Sequence, residues 1–320
     1  MLDVGLSPPG RRAGLKQPPA APMPAVRMAP RNRREYFVLH PMLYYRARAA
    51  YDRVRFVGAG DAPTALTPGL RILSYHRVGS GDALCVEPAA FARQLRTAID
   101  RGAVPVSLAQ GIDLLDRSEP LERPYLAVTF DDGYLDNLEN ALPILESLEV
   151  PGTIFLVSAI ADGREDFHWY RTNPPPAITW EQARSMGDHP LIDFQAHGTS
   201  HKRLTALSDA DLEYELAGVK AEIETRLETP VTTFCYAAGL FGDREAAAVK
   251  ALGYRAAVAN TPGVNQRGAD LFRLKRVTVS WADDDRRFGI RLGGSIGESR
   301  LEGWVRRRRR LPPLAHSCST

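Results

Sequence analysis

Residues 125–134 read Tyr-Leu-Ala-Val-Thr-Phe-Asp-Asp-Gly-Tyr in a chain of 320 residues, and they predict a buried strand that ends in two adjacent carboxylates. The apolar run forms the strand, and Asp131 and Asp132 follow where the chain turns into a loop. Two neighbouring anions are costly unless a cation or a shared proton separates their roles. The pattern therefore indicates a metal site or an acid–base site, although Asp-Asp-Gly is also common in surface turns.

A second polar motif, His-Gly-Thr-Ser-His at residues 197–201, follows the apolar run 191–196. In a helical turn, side chains four residues apart share one face, with Cβ atoms about 6 Å apart. His197 and His201 could then bind one divalent ion. Two histidines and one carboxylate, with a coordination position left open, are typical of hydrolytic metal centres. A histidine pair alone is more often structural, but its position after a strand favours the metal site.

With these motifs in this order, the chain resembles the polysaccharide deacetylases of the NodB-homology type (carbohydrate esterase family 4) over residues 70–295. Residues 129–133 are similar to the family's first motif, and residues 197–201 to its second. The resemblance implies a deformed (β/α) barrel of the α/β class. It also implies a hydrolase that removes N-acetyl groups from a sugar in a polysaccharide or its precursor, through a metal-activated water.

The resemblance implies a role for each motif residue. Asp132, His197 and His201 are the metal ligands, and Asp131 is the general base. This agrees with the chemistry, because a carboxylate beside a cation stays ionised and can accept a proton. The ligand set suits Zn²⁺, and Co²⁺, Ni²⁺, Mn²⁺ and Fe²⁺ accept the same ligand types. Gly198 stands where the family often has Ser or Thr, and we expect Thr199 or Ser200 to supply the missing hydrogen bond.

The third motif, Phe-Cys-Tyr-Ala-Ala-Gly at residues 234–239, departs from the family, which usually has proline and an aromatic residue where this chain has alanines. We expect the backbone N–H of Ala238 to serve an oxyanion hole. Tyr236 and Trp281 are predicted to bind substrate, and a tryptophan in the core is the alternative for Trp281. A small-molecule amide as substrate, or a non-catalytic carbohydrate-binding relative, remain the competing hypotheses.

The family's arginine is also missing from the third motif. Arg276 is placed like the late arginine of some members and is predicted to orient Asp131, with a solvated strand-end charge as the alternative. The family's last motif usually supplies a histidine as general acid, but the one histidine after His201 is His316, which lies in a basic tail. The early Tyr-His pair that ends in His76 is similar to that of the poly-N-acetylglucosamine deacetylases, which implies that His76 is the general acid. The alternative is a buried structural histidine.

Strands and helices alternate between residues 70 and 295, which predicts a parallel sheet and, at this length, a closed or nearly closed barrel. Its active-site residues would lie at the carboxyl ends of the strands. The predicted strands are 71–76, 104–108, 125–130, 152–157, 192–196, 231–236, 254–259 and 275–281, and the predicted helices are 87–101, 135–148, one from 180, one capped at 208–211, and 243–252.

Outside residues 70–303, which form the predicted deacetylase domain, we expect a disordered Pro/Arg-rich leader at 1–35, an extension at 36–69 and a basic tail at 304–320. Translation could begin at Met1 or Met28. Both ends are basic and the body between them is acidic, so the positive net charge of +3 does not indicate a nucleic-acid partner. The tail could contact an anionic membrane or polymer weakly through Arg306–Arg310, or be solvated.

Two further features place the protein in a cell compartment. No segment approaches the ~20 apolar residues of a membrane span, and no apolar signal region follows the basic leader. These features predict no transmembrane segment and a cytoplasmic location. Cys85, Cys235 and Cys318 are widely spaced and odd in number, which is not typical of a disulfide framework or a zinc ribbon. Cys235 is predicted to be a small buried apolar side chain.

Overall fold

The computed structural model describes residue 62, residues 64–170 and residues 172–294. The predicted leader and basic tail lie outside the described residues, as does most of the predicted extension. The same holds for Met28, for the two outlying histidines His40 and His316, for Cys318 and for Arg306–Arg310.

A curled parallel sheet forms the centre of the described part. Eight strands belong to it, in the order β10-β1-β5-β6-β7-β8-β9 with β4 beside β5, and β2 and β3 form a separate pair. Leu274 pairs with Val258 at one edge, and Val277 pairs with Leu73 at the other, so the sheet curls into a deformed (β/α) barrel as predicted. The strands are β1 Gly69–Tyr75, β2 Arg77–Val78, β3 Cys85–Val86, β4 Val104–Pro105, β5 Pro124–Phe130, β6 Gly152–Leu156, β7 Ile192–Ala196, β8 Thr233–Cys235, β9 Ala256–Val258 and β10 Val277–Thr278.

Helices connect successive strands and cover the outside of the sheet. The longest begins after Ser208, whose side chain accepts a hydrogen bond from the N–H of Asp211. Its apolar stripe is buried and consists of Leu212, Leu216, Val219, Ile223 and Leu227. No described helix is both long enough and apolar enough to cross a bilayer. The helices are α1 Pro88–Asp100, α2 Leu108–Asp116, α3 Leu142–Leu148, α4 Ser158–Ala161, α5 Trp180–Ser185, α6 Asp209–Leu227, α7 Asp243–Ala251 and α8 Asp285–Leu292.

Alternation along the strands separates two apolar layers. Leu73 and Val128 face the surrounding helices and join the larger core. Leu70, Ile72 and Ala127 face the barrel interior. By the same alternation Ser74, Thr129 and Asp131 also point inward, at the carboxyl ends of β1 and β5. On β1 and β5 the inward side chains are therefore apolar until they turn polar at the carboxyl end, where the predicted site lies. Other apolar members of the inner layer include Phe155, Cys235, Ala256, Val258 and Leu274.

The region after β4 differs from the prediction. The expected strand 104–108 stops at Pro105, because Ser107 caps α2: its side chain accepts from the N–H of Gln110, and the Gln110 side chain accepts from the N–H of Ser107. This capping box begins a helix that the apolar pattern alone did not predict. The predicted capping box at Thr179 and Gln182 does begin α5.

Candidate metal centre

The two aspartates lie at the carboxyl end of β5, beside the end of β1. The register pairs Tyr75 with Phe130, and the N–H of Asp131 donates to the carbonyl of Tyr75 at 2.9 Å. His76 and Asp131 therefore follow their strands side by side. The chain turns through two left-handed residues, Asp132 with a φ of 76° and Gly133 with a φ of 78°. Aspartate tolerates this conformation better than most side chains, and the turn brings both carboxylates to one pocket.

The two motif histidines come from the loop after β7, and not from a helical turn as the spacing suggested. The backbone is left-handed at Gly198, with a φ of 90°, and at His201, with a φ of 53°. The N–H of His197 still donates to the Leu156 carbonyl at 2.9 Å, which extends the pairing of β7 with β6 by one residue. Because the loop doubles back, the imidazoles meet at a ring-centroid distance of 4.9 Å.

The three predicted ligands converge on one point. Oδ1 of Asp132 lies 3.2 Å from Nε2 of His197 and 3.3 Å from Nε2 of His201, and all three side chains are buried. A tetrahedral ion with ligand distances of about 2.0–2.1 Å separates its ligand atoms by about 3.3–3.4 Å. The separations around Asp132 therefore fit a divalent metal ion, and the three candidate ligand atoms all lie within 4.8 Å of one another.

The orientation of His197 fits the same interpretation. Its Nδ1 lies 2.8 Å from the carbonyl oxygen of Cys235, which can only accept, so Nδ1 carries the proton. In the neutral imidazole this leaves the lone pair of Nε2 directed towards Asp132. A backbone carbonyl that fixes the second nitrogen is the usual support of a metal-binding histidine. Cys235 is fully buried, as predicted, but its carbonyl also orients the predicted ligand His197, which the sequence did not indicate.

Burial and charge act on these groups in opposite directions. Burial lowers the pKa of His201 to about 3, so its imidazole is neutral, the form that binds metals. Burial also opposes the charged form of His197, but its neighbours Cys235 and Asp132 outweigh it and raise the pKa of His197 well above its usual value. For Asp132, burial raises the pKa, while the contact with His197 and the charges of the nearby imidazoles lower it to a net value below normal.

Arg276 holds Asp131 through two hydrogen bonds. Nη1 donates to Oδ1 at 2.6 Å and Nη2 donates to Oδ2 at 2.7 Å. Arg276 is fully buried, so the alternative of a solvated strand-end charge is wrong. It also donates to the side chains of Thr129 and Asn260. Burial raises the pKa of Asp131, but the charge and hydrogen bonds of Arg276 outweigh it and hold this pKa well below its usual range.

His76 is buried next to the aspartates. Its carbonyl oxygen accepts from the side-chain amide of Asn137 at 2.9 Å, which fixes the backbone where β1 ends. Its imidazole is close enough to add to the charge interactions that lower the pKa of both Asp131 and Asp132, after the larger effects of burial and their direct partners. The position is compatible with the predicted general acid, and that role stays a prediction.

The two predicted site residues of the third motif, Ala238 and Tyr236, differ in exposure. Ala238 is exposed, with a left-handed φ of 50°, in a short turn after β8. Tyr236 is fully buried, its ring stacks on Phe241 at 4.2 Å, and its hydroxyl donates to the Phe272 carbonyl. The buried ring leaves no face for the predicted substrate contact. Trp281, at 46% exposure, lies in the loop after β10 and is not a core tryptophan.

An aromatic cluster that includes Trp169 and Tyr134 lies beside His201. The ring of Trp169 is 4.6 Å from that of His201, and its Nε1–H donates to the hydroxyl of Tyr134 at 2.8 Å. The ring centroid of His168 lies 6.0 Å from that of His201. His189 is not part of these contacts, and its Nε2 lies 3.1 Å from Oε1 of Glu146. Neither Trp169 nor His168 could be assigned a role from the sequence, because both fall in an irregular segment without periodicity.

Comparison with known proteins places the described barrel in context. Residues 118–257 match the family model for polysaccharide deacetylase. YxkH of Bacillus subtilis (strain 168), a protein that bears the name of a polysaccharide deacetylase, is 27% identical over 220 residues, which cover 69% of this chain and 75% of that protein. The poly-beta-1,6-N-acetyl-D-glucosamine N-deacetylase of Escherichia coli (strain K12) is 25% identical over 182 residues, which cover 52% of this chain but 27% of that protein.

Two solved structures share the fold. IcaB from Ammonifex degensii has a TM-score of 0.61 at 20% identity, covering 72% of this chain and 99% of that chain. The Streptococcus pyogenes deacetylase PplD, solved in complex with acetate, has a TM-score of 0.58 at 21% identity, covering 67% of this chain and 94% of that chain. The matched residues 118–257 include all three sequence motifs, whereas His76 and Arg276 lie outside them.

Proposed function

The chain carries a domain of the polysaccharide deacetylase family, and on that premise we propose a metal-dependent hydrolase that removes N-acetyl groups from an N-acetylated sugar. The polysaccharide or its precursor would be the natural substrate. The observation that carries the proposal is that Nε2 of His197 and Nε2 of His201 lie 3.2 and 3.3 Å from Oδ1 of Asp132, beside a second carboxylate held by a buried arginine.

The proposed metal site consists of Asp132, His197 and His201, with Zn²⁺ as the ion that suits the ligands best and Co²⁺, Ni²⁺, Mn²⁺ and Fe²⁺ as alternatives. When bound, a divalent ion polarises the acetyl carbonyl and makes water a stronger nucleophile. With an ion present, the neutral imidazoles of His197 and His201 and the single carboxylate of Asp132 would leave the site with a net positive charge. This charge favours the anionic transition state of amide hydrolysis.

The chain's own residues would move the protons. Asp131 accepts the proton of the attacking water, and Arg276 keeps this carboxylate ionised and fixed in orientation by its two hydrogen bonds. His76 delivers a proton to the leaving amine from the neighbouring strand end. The backbone N–H of Ala238 would stabilise the oxyanion, and Trp281 would offer an exposed ring to the sugar. A non-catalytic relative would have no chemical need for the buried Arg276–Asp131 pair.

The substrate class rests on two supports. The relative in Escherichia coli is named for poly-beta-1,6-N-acetyl-D-glucosamine, which makes N-acetylglucosamine polymers the first substrates to test. A small-molecule amide is the second candidate, because Ala238 is small and exposed where the family usually has an aromatic residue. An open acyl side of the site would accept groups other than acetyl.

The test measures acetate release from β-1,4- and β-1,6-linked N-acetylglucosamine oligomers, with Zn²⁺ or Co²⁺ and then after chelation. We expect release that requires the ion and that Asp132→Asn abolishes. Asp113→Asn is the matched control, since this aspartate pairs with Arg255 on the surface, and it should behave as the wild type. One ion bound per chain without acetate release would contradict the sugar substrate, and a chain that binds no divalent ion would contradict the metal dependence.

A further inference from the structure

A buried carboxylate on α6 contacts the loop that carries both ligand histidines. Glu215 has no exposed surface. Its Oε2 accepts a hydrogen bond from the backbone N–H of Ser200 at 2.9 Å, and its Oε1 accepts from the Ser200 hydroxyl. Ser200 lies between His197 and His201 in the sequence. Both hydrogen bonds therefore act on the three-residue segment that joins the two ligands.

The same turn of α6 contacts the loop a second time. The hydroxyl of Thr199 donates to the carbonyl of Tyr214 at 3.2 Å. Gly218 leaves the space for this side chain, because a Cβ at position 218 would lie 2.9 Å from Oγ1 of Thr199. From the other side of the loop, the N–H of Ala159 at the start of α4 donates to the Thr199 carbonyl at 2.9 Å. The segment between the histidines is thus fixed on both sides.

Gly198 belongs to the same arrangement. Its φ of 90° favours glycine, and a Cβ there would lie 3.1 Å from Oε2 of Glu215. The family often has Ser or Thr at this position, and the hydroxyl that this chain lacks is replaced by those of Thr199 and Ser200, which bond to α6. The loop conformation, with left-handed residues at Gly198 and His201, is not one that the chain would adopt without such partners.

We propose that Glu215 is a positioning residue of the metal centre, which acts through Ser200 to aim the Nε2 atoms of His197 and His201 at Oδ1 of Asp132. The inference rests on the metal site of the proposed function and adds a residue that is 14 positions beyond the second motif. Without the carboxylate, the N–H of Ser200 would be buried without an acceptor, and the loop would shift to reach another partner. Outer partners of this kind typically change metal affinity by about 10- to 100-fold.

The experiment compares Co²⁺ binding to metal-free full-length protein in Glu215→Met and Glu215→Gln. Both replacements have the length of glutamate, but glutamine alone can accept from the N–H of Ser200 and donate to its hydroxyl. We expect Glu215→Met to weaken Co²⁺ binding by about 10- to 100-fold and to change the visible absorption of the bound ion. We expect Glu215→Gln to restore both within a few-fold of the wild type.

Glu245→Met is the matched control, because Glu245 is also buried and accepts from a backbone N–H, that of Gly242, but does not contact the histidine loop. It should lower the melting temperature and leave the Co²⁺ affinity and spectrum unchanged. If Glu215→Met does not fold, Ser200→Ala replaces it, since this change removes only the hydroxyl bond and should weaken Co²⁺ binding to a smaller extent.

Three results would overturn parts of the proposal separately. Unchanged affinity and spectrum in Glu215→Met and in Ser200→Ala, beside a wild type that binds Co²⁺, would overturn the positioning role and leave the proposed function intact. Weaker binding in the variants of a wild type that releases no acetate would support the positioning role and contradict the deacetylase activity. A wild type that binds no Co²⁺ would overturn both.

Discussion

At the scale of single residues, the Asp131–Arg276 pair is the strongest support for the proposed acid–base role of Asp131. Two buried charges lie in a bidentate contact at 2.6 and 2.7 Å, and Arg276 uses its other donors on Thr129 and Asn260. Burying such a pair is expensive, and hydrophobic residues of similar volume are often equally stable. The pair is therefore better explained by the proposed general base, which requires an ionised and fixed carboxylate, than by a gain in stability.

This cost predicts how the pair responds to mutation. Arg276→Met leaves the Asp131 carboxylate buried without its cation, and we expect the free energy of unfolding of the metal-free protein to fall by about 3–5 kcal/mol. The double variant Arg276→Met/Asp131→Asn removes both charges and should recover much of this loss. Urea denaturation of the four proteins in the cycle measures the coupling. Additive effects of the two changes would contradict an energetic link between Asp131 and Arg276.

Residues of the site differ in how far the sequence could predict them. Asp131, Asp132 and the histidine pair were recognisable because each pair occupies a short motif after an apolar run. Cys235 and Glu215 were not recognisable as partners, because one acts through its carbonyl and the other through hydrogen bonds across 15 residues. For Arg276, the position suggested the role, but only the fold brings it to a carboxylate 145 residues away.

At the scale of secondary-structure elements, periodicity was a reliable guide where an element has one buried face. The start of α6 and the bounds of the strands β5, β6 and β7 were predicted close to those observed. The histidine loop was not, since spacing of four residues indicates a helical turn, whereas glycine at 198 permits a left-handed path that the spacing does not reveal. The missed helix α2 had a signal, the Ser107–Gln110 capping box, which apolar periodicity does not detect.

The junction between β1 and α8 gives an element-scale prediction. Arg71 is fully buried on β1; its Nε donates to the carbonyl of Leu292, the last residue of α8, at 2.7 Å, and Nη1 donates to the Thr67 carbonyl at 2.8 Å. Burial lowers the pKa of Arg71 to about 10, so it stays cationic at neutral pH and suits a helix C-terminus. Arg71→Met should lower the free energy of unfolding by about 1–3 kcal/mol, because it leaves the Leu292 carbonyl unpaired.

The measurement is again chemical denaturation, with Co²⁺ affinity recorded in parallel. Arg123→Met is the control, since Arg123 is exposed just before β5 and its loss should change stability by less than about 0.5 kcal/mol. Because Arg71 lies on the outer face of the sheet and far along β1 from His76, the Co²⁺ affinity of Arg71→Met should equal that of the wild type. Equal stability of the two variants would show that α8 does not depend on this arginine.

At the scale of the whole molecule, the barrel explains why residues from 76 to 276 can form one site. The carboxyl ends of β1, β5, β7 and β8 meet at one rim, and Arg276, just before β10, reaches Asp131 there. The alternation of strands and helices was enough to predict this arrangement. It could not predict that the segment from Leu274 to Thr278 closes the sheet, because that depends on pairing with both edges.

Closure of the barrel around the proposed ligands would make metal binding a property of the folded chain as a whole. Asp132 is 65 residues before His197 in the sequence, so the unfolded chain cannot present the three proposed ligands together. An ion that binds only the folded protein stabilises it by about 2.7 kcal/mol at 100 times its dissociation constant. For a domain of this size, we expect the melting temperature to rise by about 5–10 °C on adding Zn²⁺ to metal-free protein.

Calorimetry of the wild type, Asp132→Asn and Asp113→Asn, each metal-free and with Zn²⁺, tests this coupling. The shift should grow with the logarithm of the free Zn²⁺ concentration and disappear after chelation, and Asp132→Asn should lose it because the carboxylate at the centre of the site is gone. Asp113→Asn should retain the full shift. A Zn²⁺-dependent shift that persists in Asp132→Asn would mean that the ion binds elsewhere, and would contradict the proposed site around Asp132.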